Sequence, residues 1–349
     1  VNRANFIPDL IWIRRDDGWL VPLDRTKNPA EWDRLVASND SVVTQADDGT
    51  DQYDGKGIIP TSSSSSPVVM RWMIDRIGIQ PGMNVLEIGT GTGYNAATLA
   101  ELAAPGHVTS IEIDPTIADH ARHALSKSGY DVTVVTGDGT AGYPDHAPYD
   151  RVMATASARE VSYHWIEQTR PGGRILVPLA IGFDFQAFLS LTVSDDGTAD
   201  GRFPRHASFM RLRGQRDDRP IWWKNTDGLR TATTRTLPRE PFETYNAGLV
   251  LGAALPGLVA GTRPDDDMTY YRLSHAPSAS WASLAVDSND DEHELIQHGP
   301  RNLWGELENA YRWWITAGRP GPERLGLTVT PKGQTFWLDH PDNPLPTSA

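Results

Sequence analysis

From about residue 84 to residue 179 the chain alternates short, nearly continuous apolar runs with stretches whose apolar residues return every three to four positions. Continuous runs without alternation suit strands buried on both faces. The longer period suits helices that cover those faces. Strands are expected at Asn84–Ile88, His107–Glu112, Val132–Thr136, Asp150–Ala154 and Gly173–Leu179. Helices are expected at Tyr94–Leu102, Thr116–Lys127 and Val161–Thr169. Alternation of this kind predicts an α/β fold with a parallel sheet between two helical layers. Phe185–Val193 and Ser208–Leu212 are expected to close the sheet as an antiparallel pair, and Pro171-Gly172-Gly173 should turn tightly before the fifth strand.

The flanks follow other patterns. Three zones are expected: an N-terminal segment, 1–54; an α/β domain, 55–214; and a C-terminal α+β extension, 215–349. In the first, IWIRRDDGWLVPL reads as a hairpin turning at Asp17-Gly18. The extension holds a helix at Leu303–Thr316 and a closing hairpin, LGLTVT-PKG-QTFWL. GLVLGAALPGLVA, from Gly248 to Ala260, is well short of the ~20 apolar residues a membrane-spanning helix needs and reads as a buried segment. No charged-then-apolar signal pattern opens the sequence.

Composition narrows the chemistry. The chain has 349 residues and a formal net charge of -13. An acidic protein repels phosphate backbones, so a nucleic-acid partner is not expected, and neither is a membrane. Cysteine is absent, which excludes disulfides, zinc–thiolate sites and a thiol nucleophile. A reducing cytoplasm is compatible with that. The histidines show no paired metal spacing, and Asp287 to Glu294 reads as a solvated acidic loop, so no metal is expected.

Candidate chemistry gathers at the carboxyl ends of the first three parallel strands, where open α/β sheets bind ligands. The first strand runs into Gly89-Thr90-Gly91-Thr92-Gly93. Such a loop lets the backbone turn sharply and pass close to a ligand. It is G-x-G-x-G rather than the dinucleotide pattern G-x-G-x-x-G, and Glu87 just before it suits a cationic amino-acid group better than a pyrophosphate. Glu112 ends the second strand, where a carboxylate accepts hydrogen bonds from ribose hydroxyls. Gly137-Asp138-Gly139 follows the third, with Asp138 facing an adenine amino group and Gly139 leaving room for the ring. Together these elements point to S-adenosylmethionine, leaving as S-adenosylhomocysteine.

The same residues carry a family resemblance. Gly89 to Tyr94, Gly137-Asp138-Gly139 with Gly142-Tyr143, Ala147-Pro148-Tyr149-Asp150, Ala156-Ser157-Ala158, Ile166-Glu167-Gln168, Pro171 to Pro178 and Phe209-Met210-Arg211-Leu212 resemble the protein L-isoaspartyl O-methyltransferases over about residues 57–214. The resemblance implies a Rossmann-like class I methyltransferase sheet. It adds Tyr94, Ile113 and Thr155 to the cofactor set. It also implies that the segment from Thr61 to Val68 holds the acceptor. Aligned on Pro67, Ser65 falls on the family's active-site serine and Ser63 on its threonine, and these are the candidate catalytic residues. Val68 replaces the histidine that often follows the proline. A five-serine run also reads as a flexible linker.

The implied reaction is methylation of an aspartyl or isoaspartyl carboxylate in a peptide, giving an ester that collapses to a succinimide. The extension and the serine run resemble actinobacterial enzymes that act on ribosomally made peptides such as lanthipeptides and graspetides, so a cyclised precursor is the expected partner. General repair of isoaspartate in proteins is the alternative. Trp222-Trp223, Trp281, Trp304, Trp313-Trp314 and Trp337 would then grip a peptide, or else fill a core. Arg202, Arg205, Arg211, Arg213, Arg216 and Arg219 would dock an acidic peptide, or else line the outer face of two strands. Arg159, where the family commonly has proline, lies near the acceptor end. A nucleic-acid amino-methyltransferase is disfavoured, because Ala154-Thr155-Ala156-Ser157 stands where its Asn/Asp-Pro-Pro-aromatic motif would be. Because every assigned cofactor residue precedes it, a chain ending near Arg219 is expected to keep cofactor binding provided the core stays folded; if the extension instead covers an apolar face of the sheet, such a chain aggregates.

Overall fold

The computed structural model describes residues 1–183, 185–216, 227–236, 238–287 and 291–346. The N-terminal hairpin forms as expected, from β1 (Leu10–Arg14) and β2 (Leu20–Asp24). After α1 (Pro29–Val36) come β3 (Val42–Ala46) and β4 (Pro60–Ser64), completing a sheet of order β2-β1-β3-β4. Ile7, Ile11, Trp32, Val36 and Val42 are buried in its own small core. The serine run is therefore not a linker: three of its five serines lie in a strand paired to β3, with Val43 opposite Ser63 and Val42 opposite Ser64. This sheet crosses the expected boundary at residue 54.

The α/β core follows: α2 (Pro67–Ile77), β5 (Val85–Ile88), α3 (Tyr94–Ala103), β6 (Val108–Glu112), α4 (Pro115–Lys127), β7 (Thr133–Thr136), β8 (Tyr149–Ala154), α5 (Tyr163–Glu167), β9 (Thr169–Ala180), β10 (Gln186–Val193) and β11 (Ala199–Ala207). Strands β5 to β9 are parallel and β10 and β11 antiparallel. Helix boundaries follow local chemistry. Asp114 caps α4, its Oδ1 accepting from the N–H groups of Thr116 and Ile117, and Pro115 fills the first turn. β9 starts earlier than expected and runs through Pro171-Gly172-Gly173, its register with β8 shifting there.

The antiparallel partner of β10 is β11, not Ser208–Leu212. ADGRFPRHA carries few apolar residues and a proline, so it lacks a strand's alternation, yet Ala199, Phe203 and Ala207 are buried. Residues 208–212 leave the sheet instead. There the Phe209 N–H donates to Gln186 Oε1 at 2.9 Å, and Gln186 Nε2 donates to the Phe209 carbonyl at 3.0 Å.

The rest of the chain divides in two. β12 (Arg230–Thr234), α6 (Glu240–Glu243), α7 (Tyr245–Ala254), β13 (Val259–Asp265), β14 (Met268–His275), β15 (Ser280–Asp287), β16 (His293–His298) and α8 (Leu303–Thr316) build an antiparallel sheet of order β12-β16-β15-β14-β13 with its helices. The final hairpin, β17 (Leu325–Thr330) and β18 (Gly333–Leu338), returns to the central sheet, whose order is β18-β17-β11-β10-β9-β8-β5-β6-β7. Helix α7 is apolar all round because it serves two cores. Leu249 and Ala253 join the central one; Val250 and Leu251 join that of the second sheet. Gly252 lets α7 meet the backbone of Gly182, which a Cβ there would reach at 3.1 Å. Trp304 and Trp314 fill the second core, and Trp281 and Trp337 are also buried, so these tryptophans serve packing. Trp222-Trp223 and Arg219 lie outside the described residues, as does part of the Asp287–Glu294 loop.

Candidate active site

A cavity of about 470 Å³ opens at the carboxyl ends of β5, β6 and β8. Its floor is the glycine loop. Gly89 and Gly91 have φ of 96° and 53°, and a Cβ on Gly89 would come within 2.9 Å of Thr155 Oγ1. The close approach is secured from β8: the Thr155 hydroxyl donates to the carbonyls of Ile88 and Gly89. Glu112 is almost buried. Its Oε2 accepts from the Gly91 N–H at 2.9 Å and its Oε1 from the Asp114 N–H at 3.1 Å. Each oxygen keeps a lone pair for a ligand. Burial pushes this carboxyl's pKa up, against the pull of those two bonds. Asp138 spends Oδ1 on the Thr140 N–H at 2.9 Å.

Ser63, Ser65, Gly89, Thr90, Gly91, Tyr94, Glu112, Ile113, Asp138, Gly139 and Thr155 all line this cavity. Glu87, Gly93 and Gly137 do not. Glu87 is fully buried beneath the loop, so the direct contact with a cationic ligand expected of it is corrected. Asn95 Nδ2 donates to its Oε1 at 2.7 Å and the Ser110 hydroxyl to its Oε2 at 2.5 Å; Thr90 Oγ1 lies 2.6 Å from Ser110 Oγ. Burial raises the Glu87 carboxyl to about 7, with Glu112 adding to the rise and the two hydrogen bonds opposing it. Gly93 caps α3 in a left-handed conformation, where a Cβ would press on Leu125 at 3.3 Å.

Three arginines that the sequence offered either as a peptide dock or as a strand face build the cavity's outer wall. Arg213 binds Asp114 Oδ2 at 2.9 Å, Asp48 Oδ1 at 3.1 Å and Gln45 Oε1 at 3.0 Å; Arg216 binds Asp48 Oδ2 at 2.6 Å. Both arginines line the cavity, as does Arg211. The clasp joins β3, the turn after it, the start of α4 and the segment after β11. Partners so far apart in sequence leave no local signal. Arg202 lies instead over the Trp337 ring and Arg205 over Trp72, 4.4 Å and 5.2 Å from the ring centroids. No group of metal-ligating side chains occurs among the described residues.

The family model "Protein-L-isoaspartate(D-aspartate) O-methyltransferase" matches residues 50–217. The Protein-L-isoaspartate O-methyltransferase of Methanopyrus kandleri is 40% identical over 154 residues, covering 43% of this chain and 68% of that protein. The chain belongs to this family. Its namesake in Hyperthermus butylicus is 38% identical over 161 residues, 43% of this chain and 66% of that one. Protein-L-isoaspartate O-methyltransferase 2 of a Polaromonas species is 40% identical over 153 residues, 44% and 72%. The match thus spans about two thirds of these relatives' lengths. A solved structure titled Protein-L-isoaspartate O-methyltransferase shares the fold over 88% of both chains, at 22% identity and a TM-score of 0.53. This is a class I methyltransferase fold, and its cofactor is S-adenosylmethionine. The donor set suits that molecule: carboxylates at the ends of β6 and β7, a glycine loop packed so closely against Thr155 and Ser63 that a Cβ would crowd them, and Asn95 in the cavity wall with its Oδ1 buried and unpartnered.

Proposed function

We propose that the chain methylates the free carboxylate of an isoaspartyl residue in a peptide or protein. The carrying observation is that Ser63 and Ser65 face the same cavity as Glu112, Asp138 and the glycine loop. The same cavity thus holds carboxylates that suit a nucleoside and hydroxyl donors that suit a carboxylate.

When bound, S-adenosylmethionine supplies an activated methyl group on a sulfonium. What remains for the chain is placement. A carboxylate with an ordinary pKa of ~4 is ionised at neutral pH, so no general base is needed. Glu112 and Asp138 fix the nucleoside, and Glu112 holds the Gly91 N–H and with it the loop. The Ser65 hydroxyl donates to one carboxylate oxygen and leaves the other free to attack in line, with Ser63 beside it. Orientation of this kind is worth several kcal/mol in a two-substrate reaction. The ester formed has a far better leaving group than an oxide, so the next residue's amide nitrogen closes a succinimide without help.

The relatives' names favour isoaspartate as acceptor over the ring-bearing ribosomal precursor, for which the comparisons offer nothing. The test incubates the protein with methyl-labelled cofactor and matched peptides: linear isoaspartyl, linear aspartyl and cyclised aspartyl. Ester is read by mass spectrometry. A linear isoaspartyl peptide should be the best substrate. Turnover confined to the cyclised peptide would return the reading to precursor maturation, and labelling of none would reject it.

A further inference from the structure

Residue 3 lies outside the family-matched region, yet its side chain binds the backbone of Ser64 and Ser65, which line the cavity. Arg3 is 7% exposed. Its Nε–H donates to Ser64 Oγ at 3.0 Å. Nη1 donates to the carbonyls of Val36 and Ser38 at 3.3 and 3.1 Å, and Nη2 to those of Asp40, Ser64 and Ser65 at 2.9, 2.8 and 3.2 Å. These acceptors are neutral, and they come from only two places: the turn between α1 and β3, and the junction between β4 and α2.

The position of that junction explains the need. The ladder between β3 and β4 ends with Val42 opposite Ser64. Beyond it the chain leaves the sheet and turns into α2, so the carbonyl of Ser65 has no strand to accept from. Buried carbonyls require donors, and the planar guanidinium supplies five N–H groups in a fixed fork. Arg3 is itself anchored. The Phe6 N–H donates to its carbonyl at 3.0 Å, and the fully buried Phe6 ring lies 6.1 Å from that of Tyr94, across the cavity wall. His120 Nε2 lies 3.0 Å from the Phe6 carbonyl oxygen.

We propose that Arg3 is a positioning residue for methyl transfer, clamping the peptide groups on both sides of Ser65 so that its hydroxyl is held toward the acceptor carboxylate. This rests on the assignment of Ser65 to the acceptor. Arg3 touches neither substrate nor cofactor, so its loss should fall on turnover rather than on cofactor binding.

The test uses the full chain with Arg3→Met, Arg3→Lys, Ser65→Ala and, as a stability control in the same N-terminal core, Ile11→Val. Arg3→Met should lower kcat for an isoaspartyl peptide at least tenfold while S-adenosylhomocysteine affinity stays within twofold. Hydrogen exchange should quicken at Ser63 to Val68 and not at the glycine loop. Arg3→Lys, with three donors, should recover part of kcat. If Arg3→Met does not fold, Arg3→Lys carries the test: it should lose kcat beyond any loss in Ile11→Val. Full kcat in the arginine variants while Ser65→Ala is impaired overturns the clamp alone. Full kcat in Ser65→Ala overturns the serine assignment beneath it.

Discussion

Glu87 offers the sharpest check on the site's construction. Its carboxyl is fully buried and its pKa is raised to about 7, against an ordinary 4.5. Unfolded, it ionises first, so the unfolded state sheds protons while the folded state still holds them. Its contribution to stability therefore falls as pH climbs from about 4.5 to about 7, and is level above that. Moving a carboxyl this far separates its two protonation states by about 3 kcal/mol. Glu87→Gln should remove the penalty without breaking the network. The amide oxygen still accepts from Asn95, and the amide N–H donates to Ser110 Oγ, which can turn its own hydrogen toward Thr90. Urea unfolding of both proteins at intervals from pH 5 to 8 is the assay. The variant should gain on the parent steadily up to about pH 7, by as much as about 3 kcal/mol, and hold that margin above. Because Glu87 has no face on the cavity, its affinity for S-adenosylhomocysteine should change by less than about threefold, or under 0.7 kcal/mol. Stability curves that run parallel across the range would refute the buried, proton-holding carboxyl. A tenfold loss of affinity would show that its charge reaches the ligand.

Other outcomes follow from the cavity walls. Glu112→Ala and Asp138→Ala should each weaken S-adenosylhomocysteine binding by roughly tenfold to a hundredfold, the cost of a hydrogen bond to a charged acceptor, as read by calorimetry. Ser65→Ala should lower the methylation rate and leave that affinity nearly intact, with Ser62→Ala, from the start of the run, for comparison. A chain ending at residue 216 should aggregate rather than bind cofactor, the second of the two outcomes the sequence left open. Truncation there strips Leu249, Ala253, Leu325, Leu327 and Val329 from the central core and leaves β11 without β17. Light scattering and circular dichroism decide this, and a monodisperse, folded truncate would show the core to be self-sufficient.

Part of this protein is written locally in its sequence. The five parallel strands, the glycine loop and the carboxylates at the ends of β6 and β7 are legible because each depends on neighbours a few residues away. Buried parallel strands must be apolar throughout, a backbone passing a ligand at positive φ must be glycine, and Asp114-Pro115 is a helix start wherever it lies. The hairpin β1–β2 and helix α8 are legible for the same reason. Tertiary structure decided the rest. A run of serines is a strand only because β3 offers it a ladder, and ADGRFPRHA only because β10 and β17 flank it. The last hairpin sits apart from the module before it because β11 leaves an open edge in the central sheet. Glu87 reads as a ligand contact until α3 and β6 close over it, since the chain order of a carboxylate does not reveal how much water reaches it. Arg3 and Arg213 act through acceptors up to 168 residues away. A long side chain that binds across the fold leaves no period and no motif, and only the assembled neighbours reveal what it holds.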